Sequence, residues 1–373
     1  MTIRSITQVL VAGRAALVTT TVALAACGGS GGPAINAPAH TIVEFATPTS
    51  NSGPNFITSG PDGNLWFTEQ NADKIARITP AGTMTEFAAP ASDPNFIATG
   101  PDGNLWFTAF TVSAAYVGKS TPSGAITEFA VAASSAPYFL AAGRDGNLWF
   151  TELSGSKIGR VTPAGTISEF ATPMSGSNPL FITLGPDGNL WFTEYTSDKL
   201  GRVTPSGTMT EFATPTIGST PRFITTGADG NLWFTETGAG KVGRVTPSGT
   251  ITEFATPSTN SAPYHITAGP DGNLWFTESA IGKIGRVTPA GIVTEFATSS
   301  GDSGPEYITA GPDGNLWFTE YTAGKIGRVT PAGIVTEFAT SSSSSAPFSI
   351  TTGPDGNLWF TESHGSKIGK INP

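Results

Sequence analysis

The sequence is poor in cysteine and in basic residues. Its one cysteine, Cys27, excludes a disulfide within one chain and a metal site built on several thiolates. Lysine and arginine together number 19 against 28 aspartates and glutamates, so the formal net charge is −9 at pH 7. Nucleic-acid binding depends on clustered basic side chains that contact phosphates. This charge balance therefore argues against a nucleic-acid partner.

Long apolar runs, helical periodicity and the common catalytic motifs are also missing. No apolar run approaches the length of a membrane-spanning helix, and no segment repeats apolar residues at helical spacing. The motifs Gly-x-Ser-x-Gly, His-Glu-x-x-His and the Walker loop do not occur. Asp-Gly-Asn resembles part of a calcium loop, but the alternating acids and the terminal Glu of such a loop are absent. We interpret Asp-Gly-Asn as a turn.

The first 27 residues are typical of a bacterial lipoprotein signal peptide. Residues 1–14 contain two arginines and no acid, residues 15–26 are apolar or small, and the Leu-Ala-Ala-Cys sequence that ends at Cys27 resembles a lipobox. We expect cleavage before Cys27, lipid on its thiol and a flexible Gly/Ser/Pro/Ala tether over residues 28–40. The mature protein would be extracytoplasmic and would contact the membrane only through this lipid. A plain signal peptide is the alternative.

The most abundant feature of the sequence is repetition. Gly-Asn-Leu-Trp-Phe-Thr, Glu-Phe and Lys-Ile-Gly-Arg-Val-Thr-Pro (or a variant) each occur eight times with one shared period of about 42 residues. The tryptophans of the first motif are Trp66, Trp106, Trp149, Trp191, Trp233, Trp275, Trp317 and Trp359. A common period for three separate motifs indicates eight copies of one structural unit.

Each unit contains four short β-strand patterns separated by turn residues. In residues 221–256, for example, Ala-Asp-Gly-Asn and Pro-Ser-Gly interrupt segments rich in β-branched and aromatic residues. Four-stranded units of about this length, arranged radially, are the blades of β-propellers. The sequence therefore predicts an all-β, eight-bladed β-propeller of four-stranded antiparallel blades over residues 41–373. We expect the repeated tryptophan to pack between neighbouring blades.

The two ends of the repeat region predict how the ring closes. A Glu-Phe strand at residues 41–46 precedes the first tryptophan unit, and no such strand follows residues 367–371. We therefore expect residues 41–46 to supply the outer strand of the last blade. This pairing would leave no unpaired edge in the ring.

A pair of charges recurs at the hairpin between the second and third strands. In seven units a Glu that ends the second strand precedes the Lys that opens the third by five positions, as in Glu236 and Lys241. The second unit has Ala109 and Tyr116 at these positions, so both charges are lost together. We expect the two side chains to form a cross-strand ion pair.

The candidate functional residues lie at the start of the first strands, directly after a repeated proline. First strands line the central channel of a propeller, so groups at these positions should converge near one mouth. An acid, a base and phenols gathered there could bind or deprotonate a substrate. The alternative to a functional role is that these residues differ between copies by neutral drift at a position on the rim. For His265, packing as a half-buried side chain is a further alternative. The groups concerned are Arg222, Tyr264, His265, Glu306, Tyr307 and Ser349, with His364 in a loop that either overhangs the same face or is only solvated.

These motifs also resemble those of a known family. Leu-Trp-Phe-Thr-Glu, Lys-Ile-Gly-Arg-Val-Thr and Thr-Glu-Phe, together with Pro-x-x-Ile-Thr-x-Gly-Pro-Asp-Gly, are similar to the virginiamycin B lyase (streptogramin B lyase) family over residues 41–373. The resemblance implies a seven-bladed propeller that linearises cyclic depsipeptide antibiotics by Mg²⁺-assisted elimination. It also implies a His directly after the strand-opening proline in two late blades, and a Glu just beyond a late Trp-Phe strand.

This sequence departs from that family pattern. The positions that match those histidines hold Tyr264, Glu306 and Phe348, and Ser363 and His364 follow the last Trp-Phe-Thr-Glu. There are also eight units where the family implies seven, which would widen the channel.

Three functions stay open. The first is a monomer that binds a small molecule, peptide or glycan across one propeller face, with no certain cofactor and no known metal ligands. The second is a carbon–oxygen lyase of the family type, for which Mg²⁺ is implied. The third is another hydrolase or a quinone enzyme on the same scaffold. The ligand-binding candidates are Arg222, Tyr307, Ser349 and His364, and the catalytic candidates are His265, Glu306 and Tyr264.

Overall fold

Eight four-stranded antiparallel sheets make up the part of the chain that the structure describes. The structure is a computed structural model, and it describes residues 40–89 and 93–373. Each sheet is one repeat of the sequence and forms one blade, with strands in sequential order from the channel outward. The predicted eight-bladed β-propeller is confirmed. Within the same residues, no helix has the length and apolar character needed to cross a membrane.

The strands are numbered in chain order, and the four positions in a blade are called first to fourth from the channel outward. The first strands are β2 (Pro54–Ser59), β6 (Pro94–Thr99), β10 (Pro137–Ala142), β14 (Pro179–Leu184), β18 (Pro221–Thr226), β22 (Pro263–Ala268), β26 (Pro305–Ala310) and β30 (Pro347–Thr352). The second strands are β3 (Leu65–Glu69), β7 (Leu105–Phe110), β11 (Leu148–Glu152), β15 (Leu190–Glu194), β19 (Leu232–Glu236), β23 (Leu274–Glu278), β27 (Leu316–Glu320) and β31 (Leu358–Glu362).

The third strands are β4 (Lys74–Ile78), β8 (Ala115–Ser120), β12 (Lys157–Val161), β16 (Lys199–Val203), β20 (Lys241–Val245), β24 (Lys283–Val287), β28 (Lys325–Val329) and β32 (Lys367–Ile371). The fourth strands are β5 (Met84–Ala88), β9 (Ile126–Val131), β13 (Ile167–Ala171), β17 (Met209–Ala213), β21 (Ile251–Ala255), β25 (Val293–Ala297), β29 (Val335–Ala339) and β1 (Ile42–Ala46). A single 3-10 turn at Gln70–Ala72 is the only helical element among the described residues.

The first and last segments of the described chain form one blade together. Strand β1 pairs antiparallel with β32, from Ile42 opposite Ile371 to Ala46 opposite Lys367. The Glu44 carboxylate accepts a hydrogen bond from the Lys367 ammonium at 2.6 Å. Phe45 stacks on Trp359 with 5.8 Å between ring centroids. The predicted clasp is confirmed: the first strand in the chain completes the last blade.

Each repeated tryptophan is the centre of a stack within its blade. All eight tryptophans are fully buried, and each stacks on the Phe of its Glu-Phe strand at centroid distances from 5.2 to 5.8 Å. In blade 5 the Arg244 guanidinium lies over both Trp233 and Phe254 and donates to the Pro289 carbonyl of the next blade. The Trp233 indole N–H donates to Asp229 of the Asp-Gly-Asn turn, so that carboxylate has a structural partner.

The recurring charges of the second and third strands do not form the expected ion pair. Glu236 and Lys241 do face each other across the hairpin, but the Lys241 ammonium binds Glu253 on the fourth strand instead, at 2.7 Å. The same pairing of Lys with the fourth-strand Glu occurs in all seven blades that have the lysine. The predicted ion pair between the second-strand Glu and this Lys is therefore wrong, because the more accessible fourth-strand carboxylate takes the lysine.

The seven second-strand glutamates are instead buried without such a partner. Their side chains are fully inaccessible, and in all except Glu194 neither carboxyl oxygen has a hydrogen-bond partner. Burial, with the negative charge of Glu253 as a second cause, raises the pKa of Glu236 to about 8. In Glu253 burial acts in the same upward direction, but hydrogen bonds from Lys241 and Thr216 outweigh it and lower the pKa. In this blade Glu236 therefore keeps its proton at neutral pH, while Glu253 is ionised. The seven residues are Glu69, Glu152, Glu194, Glu236, Glu278, Glu320 and Glu362.

Deletion of residues 41–48 should destabilise the propeller far more than deletion of residues 28–38. The first deletion removes the fourth strand of the last blade and leaves Trp359 without its stacking partner. Loss of the partly buried Phe45 ring and of the strand that carries it should cost about 3–5 kcal/mol, which corresponds to a drop in melting temperature of roughly 5 °C for a propeller of this size. Differential scanning calorimetry of both truncations measures the difference. Equal melting temperatures would contradict the clasp.

The buried glutamates should make the protein more stable in mild acid than in mild base. A carboxyl whose pKa is raised by folding binds its proton more tightly in the folded state. Its contribution to stability is therefore complete below pH 4.5 and is lost as the pH rises to about 7–8. We expect Glu236→Gln, which keeps the shape without the charge, to raise the melting temperature at pH 8.5 and to change it little at pH 5.

Glu253→Gln, in the same blade, is the matched control for that substitution. Because the folded state lowers the pKa of Glu253, its charge stabilises the fold above the unfolded pKa, and its removal breaks the contact with Lys241. We expect Glu253→Gln to lower the melting temperature at pH 8.5. A shift of the same sign for both variants would show that the two carboxyls do not have these opposite roles.

Candidate functional site

The threonine of each Trp-Phe-Thr motif positions the start of the first strands. The Thr235 hydroxyl accepts the N–H of Phe223 in its own blade and donates to the Tyr264 carbonyl of the next blade at 2.7 Å. The inter-blade bond is present in all eight blades, and Thr361 completes the circle by donating to Asn55. The residue directly after each strand-opening proline is called the mouth residue, and the residue after that is called the plug residue. These bonds hold the mouth and plug residues of all eight blades at the same height along the channel.

The plug residues of alternate blades fill the channel with aromatic rings. The four rings of blades 1, 3, 5 and 7 contact one another in a closed square, edge to face, with centroids 5.5–5.8 Å apart. All four are buried. The wider channel expected of eight blades is therefore closed at this level. The four residues, together called the aromatic plug, are Phe56, Phe139, Phe223 and Tyr307.

Three of the predicted site residues are plug residues. Tyr307 belongs to the aromatic plug itself, and His265 and Ser349 are the plug residues of blades 6 and 8. The His265 ring lies 4.8 Å from Phe223 and 4.7 Å from Tyr307, and its Nδ1 accepts the N–H of Ile308 at 3.5 Å. Burial lowers the pKa of His265 to about 3, so the ring is neutral. In the same way, the Ser349 hydroxyl accepts the N–H of Ile57 at 3.4 Å. Both side chains join neighbouring first strands.

Three other predicted residues lie together at the mouth. The Arg222 guanidinium carbon is 4.2 Å from the ring centroid of Tyr264, and Tyr264 lies on the blade between those of Arg222 and Glu306. Burial raises the pKa of Glu306 to about 7, although the positive charge of Arg222 and a hydrogen bond from Tyr264 act in the opposite direction. The Glu306 carboxyl is therefore about half ionised at neutral pH.

Tyr138 is a fourth member of this group that the sequence analysis missed. Burial raises the pKa of its phenol, and the nearby charge of Arg222 partly offsets this. The sequence did contain an indication that Tyr138 occupies a position equivalent to that of Tyr264, because Pro137-Tyr138 repeats the Pro-Tyr pattern of Pro263-Tyr264. Arg222, Tyr264, Glu306 and Tyr138 are called the Arg222 cluster from here on. Burial raises the pKa of the Tyr307 phenol in the aromatic plug, and all four members of the cluster also influence it.

Aromatic side chains at and just beyond the ends of the second strands surround this cluster. Phe110 lies 6.3 Å from Tyr138, Tyr195 lies 5.9 Å from the Arg222 guanidinium carbon, and Tyr321 lies 6.3 Å from Phe348. The Tyr321 hydroxyl is 3.2 Å from Nε2 of His364, which places His364 at the rim. The loops between second and third strands and the strand-opening prolines share one face, because Pro221 pairs with Glu236 at the end of the second strand. We call it the proline face.

The rim aromatics also escaped the sequence analysis. They occupy the position directly after the second strand's Thr-Glu or Thr-Ala, which varies freely among the copies. The residues there are Gln70, Phe110, Leu153, Tyr195, Thr237, Ser279, Tyr321 and Ser363. A comparison of this position between units would have suggested a second variable ring outside the mouth residues.

The residues of the Arg222 cluster do not fit a magnesium ion. Mg²⁺ takes several oxygen ligands in octahedral geometry, usually carboxylates and waters. Glu306 is the cluster's one carboxylate, and the Arg222 guanidinium beside it repels a cation. Residues 40–89 and 93–373 contain no group of three or more His, Cys, Asp or Glu side chains arranged to hold a metal ion. No magnesium-dependent step follows from this arrangement.

Comparison with known proteins places these features in a family. The virginiamycin B lyase family model matches residues 36–114, 110–261 and 257–373. A virginiamycin B lyase from Saccharopolyspora erythraea is 49% identical over 89 residues, which are 24% of this chain and 29% of that relative. This match thus spans less than a third of the relative's length.

Solved structures are similar over most of the chain. A streptogramin B lyase structure aligns with a TM-score of 0.67 and 34% identity, over 89% of this chain and 97% of that chain. A crystal structure of a catalytically inactive virginiamycin B lyase from Staphylococcus aureus with quinupristin aligns with a TM-score of 0.67 and 36% identity, over 90% and 99% respectively. The matching family model extends across nearly the whole propeller. This chain belongs to the virginiamycin B lyase family.

Proposed function

We propose that this propeller binds a small molecule, a peptide or a glycan on its proline face, above the Arg222 cluster. The observation that carries the proposal is the position of this cluster. The Arg222 guanidinium, the Tyr264 phenol and the Glu306 carboxyl, whose pKa is about 7, lie on three consecutive blades beside a closed channel, and the Tyr138 phenol lies on the channel strand two blades before Arg222. Convergent polar groups inside an aromatic rim are typical of ligand sites.

The surrounding rings indicate which ligands suit the face. Phe110, Tyr195, Tyr321 and Phe348 offer flat apolar surface around the polar centre, and aromatic contacts of this kind favour ligands with rings of their own. The S. aureus relative was crystallised with quinupristin. A streptogramin of type B is therefore the first ligand to test, with peptides and glycans as further candidates.

One observation favours a second function, which is elimination on a cyclic depsipeptide. A carboxyl with a pKa of about 7 is well matched to a general base at neutral pH. The Glu306 carboxylate would take a proton from the carbon next to the one that bears the ester oxygen. The carbon–oxygen bond would break, leaving a carbon–carbon double bond and a free carboxylic acid, so the ring opens without a change of mass. His265 is unsuited to this task, because its imidazole is packed within the plug.

Binding and turnover can be measured on protein spanning residues 33–373, which includes every strand of the ring. We expect quinupristin to bind saturably with one site by isothermal titration calorimetry. Tyr138→Ala should weaken binding about fivefold or more, because it removes a ring from the Arg222 cluster. Ile292→Ala is the matched control, since Ile292 is an exposed side chain in a turn on the opposite face. Absence of saturable binding would contradict this choice of ligand.

The same mixtures report on elimination. Because linear and cyclic forms have equal mass, chromatographic retention and fragmentation must distinguish them, with Mg²⁺ present in one series and a chelator in the other. We expect slow or no ring opening. Turnover of about 1 s⁻¹ or faster that Glu306→Gln abolishes would establish the lyase function instead.

We also propose that the protein is held at the cell envelope by lipid on Cys27. The residues concerned, 1–39, lie outside the described part of the chain, and the proposal rests on the lipobox-like sequence alone. Cys27→Ser removes the only thiol in the chain, so we expect this variant to appear in the soluble fraction or to keep its signal peptide. Fractionation followed by mass spectrometry of the N-terminus measures both outcomes. Unchanged membrane association would rule out the anchor.

A further inference from the structure

Arg222 differs from the arginines of the third strands in what its guanidinium contacts. Each third-strand arginine lies over the Trp and Phe of its blade and has a fixed acceptor. That acceptor is a proline carbonyl of the next blade for Arg77, Arg160, Arg202, Arg244 and Arg286, and Nε2 of His40 for Arg328. Among the described residues, no carbonyl or carboxylate accepts a hydrogen bond from the Arg222 guanidinium. Its buried Nε has no partner either, a feature that it shares with Arg77, Arg160, Arg286 and Arg328.

The Arg222 guanidinium is nevertheless held in one orientation. Its central carbon lies 4.2 Å from the Tyr264 ring centroid and 5.9 Å from that of Tyr195. Contact with aromatic faces fixes the plane of a guanidinium while the N–H groups along its edge remain available as donors. A partly buried cation with fixed orientation and unused donors is suited to an external acceptor.

We propose that Arg222 binds a carboxylate of the ligand on the proline face. This inference rests on the proposed binding site and narrows its ligand class to acidic molecules that also present an apolar or aromatic group. The fork of guanidinium N–H groups matches the two oxygens of a carboxylate, which makes such pairs directional as well as strong. The rings of Tyr264 and Tyr195, which lie 4.2 and 5.9 Å from the guanidinium carbon, offer apolar surface to the adjoining part of the ligand.

Glu306 controls how strongly this position attracts an anion. When ionised, its carboxylate partly neutralises Arg222 and repels a second carboxylate; when protonated, it does neither. The other groups that face the pair are the phenols of Tyr264, Tyr138, Tyr195, Tyr307 and Tyr321, with His364 beyond Tyr321. Burial raises the pKa of Tyr264, Tyr138, Tyr307 and Tyr321, so these four phenols stay neutral between pH 6 and 8. Anion affinity should therefore fall as the pH rises across that range.

A matched pair of probes tests the inference. The first is 4-hydroxyphenylacetate, and the second is its neutral amide, 4-hydroxyphenylacetamide, which has the same ring and size. Affinities are measured by NMR titration at pH 6 and pH 8 on protein spanning residues 33–373. We expect the carboxylate to bind about tenfold more tightly than the amide at pH 6, because hydrogen bonds to charged groups are stronger than neutral ones.

Three substitutions separate the contributions. Arg222→Gln should reduce affinity for the carboxylate to that for the amide. Arg144→Gln removes the same charge from an exposed turn on the opposite face and should change neither affinity. Glu306→Gln should tighten carboxylate binding at pH 8 several-fold and remove its pH dependence. If the pH dependence survives in Glu306→Gln, the role given to Glu306 is wrong.

The outcomes also distinguish this inference from the broader one. Equal affinities for the carboxylate and the amide, or an unchanged carboxylate affinity in Arg222→Gln, would overturn the carboxylate assignment. Quinupristin binding that depends on Tyr138 would still support the proline face as a ligand site in that case. Carboxylate binding that depends on Arg222 without any quinupristin binding would support this inference and redirect the search to acidic ligands.

Discussion

The hydroxyl of one threonine in each blade sets the geometry of the whole channel. It accepts a hydrogen bond from the plug residue of its own blade and donates one to the mouth residue of the next, and the eighth threonine returns the circle to the first blade. Because these threonine side chains are fully buried, neither strand can slide without leaving a polar group unpaired. Mouth and plug residues therefore lie at fixed heights around the ring, and side chains distant in sequence meet there.

The aromatic plug is a consequence of that fixed height. Four rings from alternate blades reach the axis together and contact edge to face, so the channel is filled and does not form a pore. His265 and Ser349 occupy plug positions and satisfy backbone N–H groups of the next blade. The mouth residues lie beside this plug. Their chemistry is free to differ between blades because their backbone, and not their side chain, carries the structural bond.

The charged residues that recur in the repeat have structural roles. Each lysine of the third strand binds the Glu of the fourth strand, while the second-strand Glu remains buried and holds a proton. Blade 2, with Ala109 and Tyr116, lacks both the buried Glu and the lysine and retains Glu128. The second-strand Glu and the third-strand Lys are thus absent together from blade 2, although in the other seven blades these two residues do not form an ion pair with each other.

The sequence by itself determined the fold class, the number of blades, the clasp between residues 41–46 and the last blade, and the burial of the tryptophans. The periodic motifs determine these features, because every copy has the same order of strand-forming and turn-forming residues. Only the tertiary structure decided that Tyr307, His265 and Ser349 occupy plug positions. It also decided that Tyr138 influences the group of Arg222, Tyr264 and Glu306, and which Glu binds each lysine. Those outcomes depend on distances across the channel and between strands. At such distances, burial and the competition of two carboxylates for one lysine determine which side chains interact. A repeat in the linear sequence does not encode these distances.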